Sequence, residues 1–163
     1  MNSSNPPPSA NLWIIWGALL ASHFVNLAVI LIRPDFVQPR NVLFFALAAL
    51  AVVMGLASLA ISQVMTGGAK IRSWAQEYRE KGEKREMAKE MMLERLTKTS
   101  IFGWALSEAV TIYGLALSFL GQAPRPVFFI FLAGGVLCHL LGWPKVSSVE
   151  EALQAEYGGA LLM

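Results

Sequence analysis

Four long apolar stretches divide the chain, and most polar residues lie in the segments between them. The stretches cover 12–32, 42–65, 101–121 and 127–143. A helix of roughly 17 to 25 residues can cross the hydrocarbon core of a bilayer, and each stretch reaches that length. The pattern therefore predicts an all-α membrane protein with four transmembrane helices, arranged as two antiparallel pairs.

The segments between the stretches predict five parts. They are a disordered N-terminal tail, a first helix pair, a charged helical insert, a second helix pair and a C-terminal amphipathic helix with its tail: 1–11, 12–65, 66–100, 101–143 and 144–163. The tail is rich in Pro and Ser, which do not bury apolar surface. The insert and the C-terminal segment have helical patterns of their own.

Two apolar faces run along the insert, and Gly82 is expected to separate them into two helical pieces. The faces contain Ile71, Trp74, Ala75 and Tyr78, and Ala88, Met91, Met92 and Leu96. They are expected either to rest on the bilayer or to dock a partner. In the C-terminal segment, Ser148 and Glu151 have capping-box spacing, which predicts a helix from there to about Tyr157.

Basic residues indicate the orientation. Four spans place the insert and both tails on one side, with ten basic residues: Lys70, Arg72, Arg79, Lys81, Lys84, Arg85, Lys89, Arg95, Lys98 and Lys145. Arg33, Arg40 and Arg125 lie on the other side. Cytoplasmic loops carry the excess of Lys and Arg, so both termini are predicted to be cytoplasmic, in a bacterial inner membrane.

Composition narrows the function classes. The chain is 55% apolar and 15% charged, against about a quarter charged in an ordinary soluble domain. Basic and acidic residues are mixed in the insert, which argues against a nucleic-acid site. The sequence contains no evident nucleophile–base–acid set, phosphate-binding loop or metal-ligand spacing. We therefore expect no enzyme, metal or cofactor. The expected partners are the lipid bilayer and either other membrane subunits or a second copy of the chain.

Small residues recur along one face of the second and third spans, where they allow helices to approach closely. The two stripes are Ala48, Ala51, Gly55, Ser58 and Ser62, and Gly103, Ser107, Thr111, Gly114 and Ser118. They predict a tight seam between these two spans. Self-association of either stripe with a second copy is the alternative.

Glu108 lies near the middle of the third span. An ionised side chain at that depth is costly, so the carboxyl group is expected to be protonated, paired or turned toward a polar cavity. His139 of the fourth span lies at a similar estimated depth and is the predicted partner. Thr111 and Tyr113 are close enough along the chain to contribute hydroxyl groups. These four residues form a predicted ion-binding site; a neutral, hydrogen-bonded acid is the alternative.

The first span has its own polar pair. His23 and Asn26 are three residues apart and therefore share a helix face. We expect them to hydrogen-bond to a neighbouring helix. His23 and His139 are also considered as axial ligands of a haem, although their estimated depths differ by about 7–8 Å.

The stretch ALSEAVTIYGLALSFL, 105–120, resembles the second helix of the ring-forming c subunit of rotary ATP synthases. By that resemblance Glu108 would carry the transported ion and Tyr113 would orient it. The connecting segment here is about 35 residues, whereas that family has a short polar loop. The whole layout also resembles small uncharacterised bacterial four-helix membrane proteins.

Three functions follow as alternatives. The first is a non-enzymatic structural or accessory subunit of a larger membrane complex, or a self-associating protein. The second is a proton-binding or proton-translocating membrane protein in which Glu108 titrates. The third is a haem-binding helical bundle.

Overall fold

The structure, a computed structural model, describes residues 8–32, 42–121 and 124–158. These residues form helices and contain no strand. Six α-helices and one π-helical segment occur in chain order: α1 Pro8–Ile32, α2 Val42–Ala60, π segment Ile61–Met65, α3 Gly68–Glu80, α4 Arg85–Phe119, α5 Arg125–Leu141 and α6 Val146–Tyr157. The segments 1–7 and 33–41, with the predictions for the tail and for Arg33 and Arg40, lie outside the described residues.

Four helical stretches are long and apolar enough to cross a membrane: Ala10–Ile32, Val42–Met65, Arg85–Phe119 and Arg125–Tyr157. The prediction of four apolar helices is confirmed. We call α1, α2 with the π segment, α4 from Ile101 onward, and α5 the bundle. Helix α4 is its centre, because it packs against α1, α2 and α5.

Helix α4 differs from the prediction by running without a break from the insert into the third span. It is 35 residues long, or about 50 Å at 1.5 Å per residue. Nothing between Thr97 and Ile101 interrupts a helix, so the charged and apolar portions join. The predicted break at Gly82 does occur, and its positive φ of 74° forms the turn between α3 and α4.

The helices α3 and α6 and residues 85–100 of α4 form a second region, which we call the cap. Its fully buried side chains include Ile71, Trp74, Met92, Leu96 and Leu153. The two apolar faces of the insert are therefore packed against each other and against α6. They neither rest on a bilayer nor remain open for a partner, because the C-terminal helix supplies the surface that covers them.

Helix α6 also differs at its start. It begins at Val146, just after Pro144, and its N-cap residue is Lys145, which makes no side-chain capping bond. Ser148 lies inside the first turn, so the predicted capping box is wrong. The helix ends at Tyr157 as predicted, with Gly158 as the C-cap residue.

Candidate functional site

Polar side chains from three helices meet inside the bundle. Helix α1 contributes His23 and Asn26, α4 contributes Ser107, Glu108 and Thr111, and α5 contributes His139. The spacings of three and four residues place each set on one helix face. The imidazoles and both hydroxyl-bearing side chains are fully buried. A buried polar group is costly unless it has a partner, so their contacts with one another decide whether the site is stable.

Glu108 has two partners on α1. Its Oε1 accepts a hydrogen bond of 2.8 Å from Nδ2 of Asn26, and its Oε2 lies 3.3 Å from Nε2 of His23. Neither His23 Nε2 nor Glu108 Oε2 has a hydrogen-bond partner among the described residues, so the second contact is not a hydrogen bond. It is an electrostatic contact. The Glu108 side chain is 12% exposed and that of His23 is 0% exposed.

The other nitrogen of His23 reaches back to α4. Its Nδ1 lies 2.8 Å from Oγ1 of Thr111, one turn beyond Glu108. Since Glu108 and Thr111 are three residues apart, they lie on one face of α4 and contact both ring nitrogens. The histidine is thereby fixed in one orientation between a carboxyl group and a hydroxyl group.

His139 is held between α1 and α4. Its Nε2 donates to the backbone oxygen of Trp16 at 3.1 Å, and its Nδ1 lies 3.2 Å from Oγ of Ser107. The ring centroids of Trp16 and Trp104 lie 5.6 and 6.0 Å from that of His139. The His23 ring meets it edge-on at 5.5 Å. The two histidines are therefore direct neighbours.

Gly135 of α5 makes this close packing possible. A Cβ atom at this position would lie 2.2 Å from Oγ1 of Thr111, 2.9 Å from the backbone oxygen of Ser107 and 3.1 Å from Cε1 of His23. These distances are too short for any side chain other than hydrogen. The neighbouring Gly134 differs, because its nearest atom would be Cγ1 of Val110 at 3.8 Å.

The structure corrects the predicted partner of Glu108. The histidine beside the carboxyl group is His23, and His139 lies beyond it against Ser107. Tyr113 has no hydrogen bond to Glu108 in the described part of the chain. Five residues along a helix correspond to a rotation of about 140°, so Tyr113 lies on another face. Thr111 contributes its hydroxyl group to His23.

The small-residue stripe of the third span does not form a single seam. Gly103 lies against Ile61 in the π segment, whereas Gly114 lies against Phe131 of α5. Ser107 and Thr111 contact the two histidines, and Ser118 is buried. The stripe is divided among three neighbours because α4 is central and is surrounded by the other helices.

The stripe of the second span is divided as well. Ser58 and Ser62 donate hydrogen bonds of 2.9 Å to the backbone oxygens of Gly103 and Leu141. Its other three residues line an apolar groove of about 350 Å³ between α2, α4 and α5: Ala48, Ala51 and Gly55. The C-terminal part of the stripe, Ser58 and Ser62, therefore packs through hydrogen bonds, and the N-terminal part borders the groove.

The haem alternative is not supported by the placement of the histidines. Their ring centroids lie 5.5 Å apart, so the rings are closer to each other than the estimated depth difference of about 7–8 Å. Each ring nitrogen lies against another polar group of the bundle, which leaves none directed toward an iron atom. Within residues 8–32, 42–121 and 124–158, no group of three or more His, Cys, Asp or Glu could hold a metal ion.

Some members of the site were not assigned to it from the sequence. Asn26 was expected to bond to another helix, but not to Glu108, and Ser107 was assigned only to helix packing. A sequence signal existed for both, because each shares a helix face with a recognised site residue. The backbone oxygen of Trp16 had no such signal.

Comparisons with protein-family models, curated proteins and solved structures find no match to this chain.

Proposed function

We propose that the chain is a four-span integral membrane protein of a bacterial inner membrane, with both termini in the cytoplasm, that binds a proton inside its bundle. The surface of the bundle supports the membrane placement. Phe24, Leu56 and Ile130 point outward and are 61%, 62% and 71% exposed. Contiguous exposed apolar surface of this kind is rare on soluble proteins and is expected where lipid covers it.

Tryptophans support a membrane boundary near the cap. Trp13, Trp16 and Trp143 form a cluster in which the Trp143 ring lies 5.0 and 4.6 Å from the other two. Trp and Tyr are enriched where hydrocarbon meets water. The cluster lies at the end of the bundle from which the cap extends, and the Lys and Arg residues of the cap favour a cytoplasmic position for it.

The contact between His23 and Glu108 carries the proton-binding proposal. A carboxyl group and an imidazole 3.3 Å apart can hold one proton between them, either as an ion pair or as two neutral groups. Histidine is the side chain whose charge changes near neutral pH. Ionisable groups among membrane-crossing helices commonly mark proton relays. The resemblance of 105–120 to a rotor subunit fits the same role for Glu108.

A hydrophobic carbodiimide, which reacts with protonated carboxyl groups, tests this proposal. In membrane vesicles it should modify Glu108, and the extent of modification should increase as the pH is lowered. Glu108→Gln should abolish the modification. Glu151→Gln, in the cap, is the matched control and should leave it unchanged. Absence of modification at Glu108 across the pH range in which the protein stays folded would refute proton exchange there.

The apolar groove favours a second candidate, a structural or accessory subunit of a larger membrane complex. Small residues line the groove, and such residues allow another helix to approach. Ala51→Leu would fill part of the groove. If a partner helix binds there, this variant should lose any subunit that the wild-type protein retains at fixed stoichiometry in mild detergent. Equal retention by both proteins would argue against the groove. No catalytic activity is proposed in either role.

A further inference from the structure

We propose that His139 is a second proton-binding site, held as an imidazolium whose positive charge is balanced by Glu108. The inference deepens the proposed proton-binding function and rests on it. The His23–Glu108 pair is one site, which is empty while Glu108 is ionised and His23 neutral, and the ring of His139 is the other. The contacts of His139 carry the inference, because one of them fixes a donor on the ring and the other favours a second.

The first contact requires a proton on Nε2. The backbone oxygen of Trp16 can only accept a hydrogen bond, and it lies 3.1 Å from Nε2 of His139. The nitrogen must therefore be the donor. A neutral imidazole has one protonated nitrogen, so this contact alone would leave Nδ1 as an acceptor.

The second contact favours a proton on Nδ1 as well. Oγ of Ser107 lies 2.7 Å from the backbone oxygen of Trp104 and 3.2 Å from Nδ1 of His139. A serine hydroxyl group has one hydrogen atom, and the shorter contact, to an atom that only accepts, takes it. The serine oxygen is then an acceptor toward Nδ1. Both nitrogens donate, which is the hydrogen-bonding pattern of a charged imidazole.

Aromatic rings offset part of the cost of burying a cation at this position. The rings of Trp16 and Trp104, centred 5.6 and 6.0 Å away, lie within the range in which an aromatic ring attracts a positive charge. Tryptophan has the strongest effect of the aromatic side chains. A charged His139 therefore has two hydrogen-bond acceptors and two aromatic neighbours.

The other contacts fit the same distribution of protons. A neutral His23 with its proton on Nε2 is in electrostatic contact with the carboxylate of Glu108 and accepts from the hydroxyl group of Thr111 at Nδ1. The amide of Asn26 donates to the second carboxylate oxygen. Glu108 then has a hydrogen-bond donor at Oε1 and an electrostatic contact with the His23 ring at Oε2, and the cluster is neutral in total. His23 separates the two charges.

Few titratable groups face His139. His23 comes from α1 and Glu108 from α4, whereas Cys138 on its own helix is turned toward Gly55 of α2. Helix α2 has no titratable side chain. The charge of His139 should therefore respond to Glu108 and His23 alone within the bundle.

Nitrogen-15 solid-state NMR of histidine-labelled protein in lipid vesicles tests the inference, since the chain has only two histidines. Near neutral pH, one histidine should show two protonated nitrogens and the other a neutral ring protonated at Nε2. His139→Gln should remove the charged signal. Glu108→Gln should shift His139 to the neutral form, because its balancing charge is lost.

Ser107→Ala provides the sharper variant. It removes the acceptor for Nδ1, so the charged signal should be reduced in favour of a neutral ring. Ser118→Ala is the matched control: this serine is also buried on α4, and its hydroxyl group has no hydrogen-bond partner in the part of the chain that the structure describes. It should leave the charged signal unchanged. Trp fluorescence and circular dichroism check that both variants fold.

Two neutral histidines in the wild-type protein between pH 5 and 8 would overturn the inference. In that case the Ser107 hydroxyl group would have turned from Trp104 to donate to Nδ1. Assignment of the charged signal to His23 would overturn it as well. Failure of the carbodiimide to modify Glu108 is a separate result, which refutes proton exchange at Glu108 and leaves the charge of His139 to be decided by NMR.

Discussion

The bundle and the cap are packed in opposite ways. The bundle has apolar side chains such as Phe24 and Ile130 on its outside and buried histidines inside. The cap has Trp74 and Met92 at its centre, and charged residues on its surface. Both regions are helical and share α4, so secondary structure does not cause the difference.

On the proposed membrane placement, the two regions are suited to different solvents. In water, burying apolar surface stabilises a fold, and the cap uses this effect. Where lipid replaces water that effect vanishes between helices, and close packing with polar contacts must hold them together. Ser58 donating to the backbone oxygen of Gly103, and Gly135 admitting Thr111, are contacts of this second kind.

Removing a large core side chain from the cap should have the largest effect. Trp74 is 1% exposed, and its ring also lies 4.8 Å from the guanidinium group of Arg95. Trp74→Ala should destabilise the cap by about 3–5 kcal/mol, because it leaves a cavity. Amide hydrogen exchange in α3 and α6 should accelerate, while exchange in the bundle changes less. Arg72→Ala, exposed on the same helix, is the control. Equal protection in both variants would mean that the cap does not depend on its apolar core.

A charge on the outside of the bundle should have the next largest effect. Phe24→Lys replaces a 61% exposed ring near the middle of α1, at a cost of about 2.5–3.5 kcal/mol if that surface faces hydrocarbon. The fraction of the chain that remains in carbonate-washed membranes should decrease. Ser73→Lys, on the outside of the cap, should have no effect because its position faces water. If both variants insert equally, the outer surface of the bundle does not face lipid.

A methyl group at Gly135 tests the packing inside the bundle. Gly135→Ala would place an atom 2.2 Å from Oγ1 of Thr111, and the resulting strain should cost about 1–3 kcal/mol. Gly135→Ala should unfold at a lower temperature in detergent than the wild type. The nitrogen-15 NMR signal of the charged histidine should weaken, because the packing around Thr111 and His23 is disturbed. Gly134→Ala has room, with 3.8 Å to the nearest atom, and should be neutral or slightly stabilising. Identical melting of the two variants would contradict the close contact between α4 and α5.

The four apolar helices could be predicted from the sequence, since apolar length is a property of composition. The sequence did not predict what covers the apolar faces of the insert, because a helical pattern identifies a buried face without naming its partner. Here α6, more than fifty residues away from α3, covers them. The continuous helix α4 cannot be predicted for a related reason: the polarity of the sequence changes near residue 100, but the backbone helix does not end there.

Depth along each helix could be estimated for the candidate site, but rotation about the helix axis could not. Depth placed Glu108 near His139; rotation of α1 brings His23 between them. The face shared by His23 and Asn26 was recognised because it follows from spacing alone. The backbone oxygen of Trp16 had no side-chain pattern to reveal it, since every residue has a carbonyl group.

The smallest expected effect comes from an ion pair on the cap, which contrasts with the buried pair of the bundle. Glu77 accepts hydrogen bonds from Lys81 and Arg95 at 2.7 and 3.2 Å. These bonds, that from Lys81 first, lower the pKa of the Glu77 carboxyl group below its ordinary value of 4.5. Because the pKa is lowered in the folded state, the carboxylate stabilises the cap at pH values above the ordinary pKa of 4.5. This contribution is lost as the pH falls through the lowered pKa.

Glu77→Gln should therefore destabilise the cap slightly near neutral pH, and the difference from the wild type should disappear in acid. Added salt should reduce the difference too, because exposed charges are screened over about 8 Å at physiological ionic strength. Glu90→Gln, which removes an exposed carboxylate without an ion pair among the described residues, is the control. The nitrogen-15 NMR signal of His23, beside Glu108, should not change with added salt, since buried charges are screened far less. If salt altered both pairs equally, water would reach the interior of the bundle, and the opposite packing of the two regions would not hold.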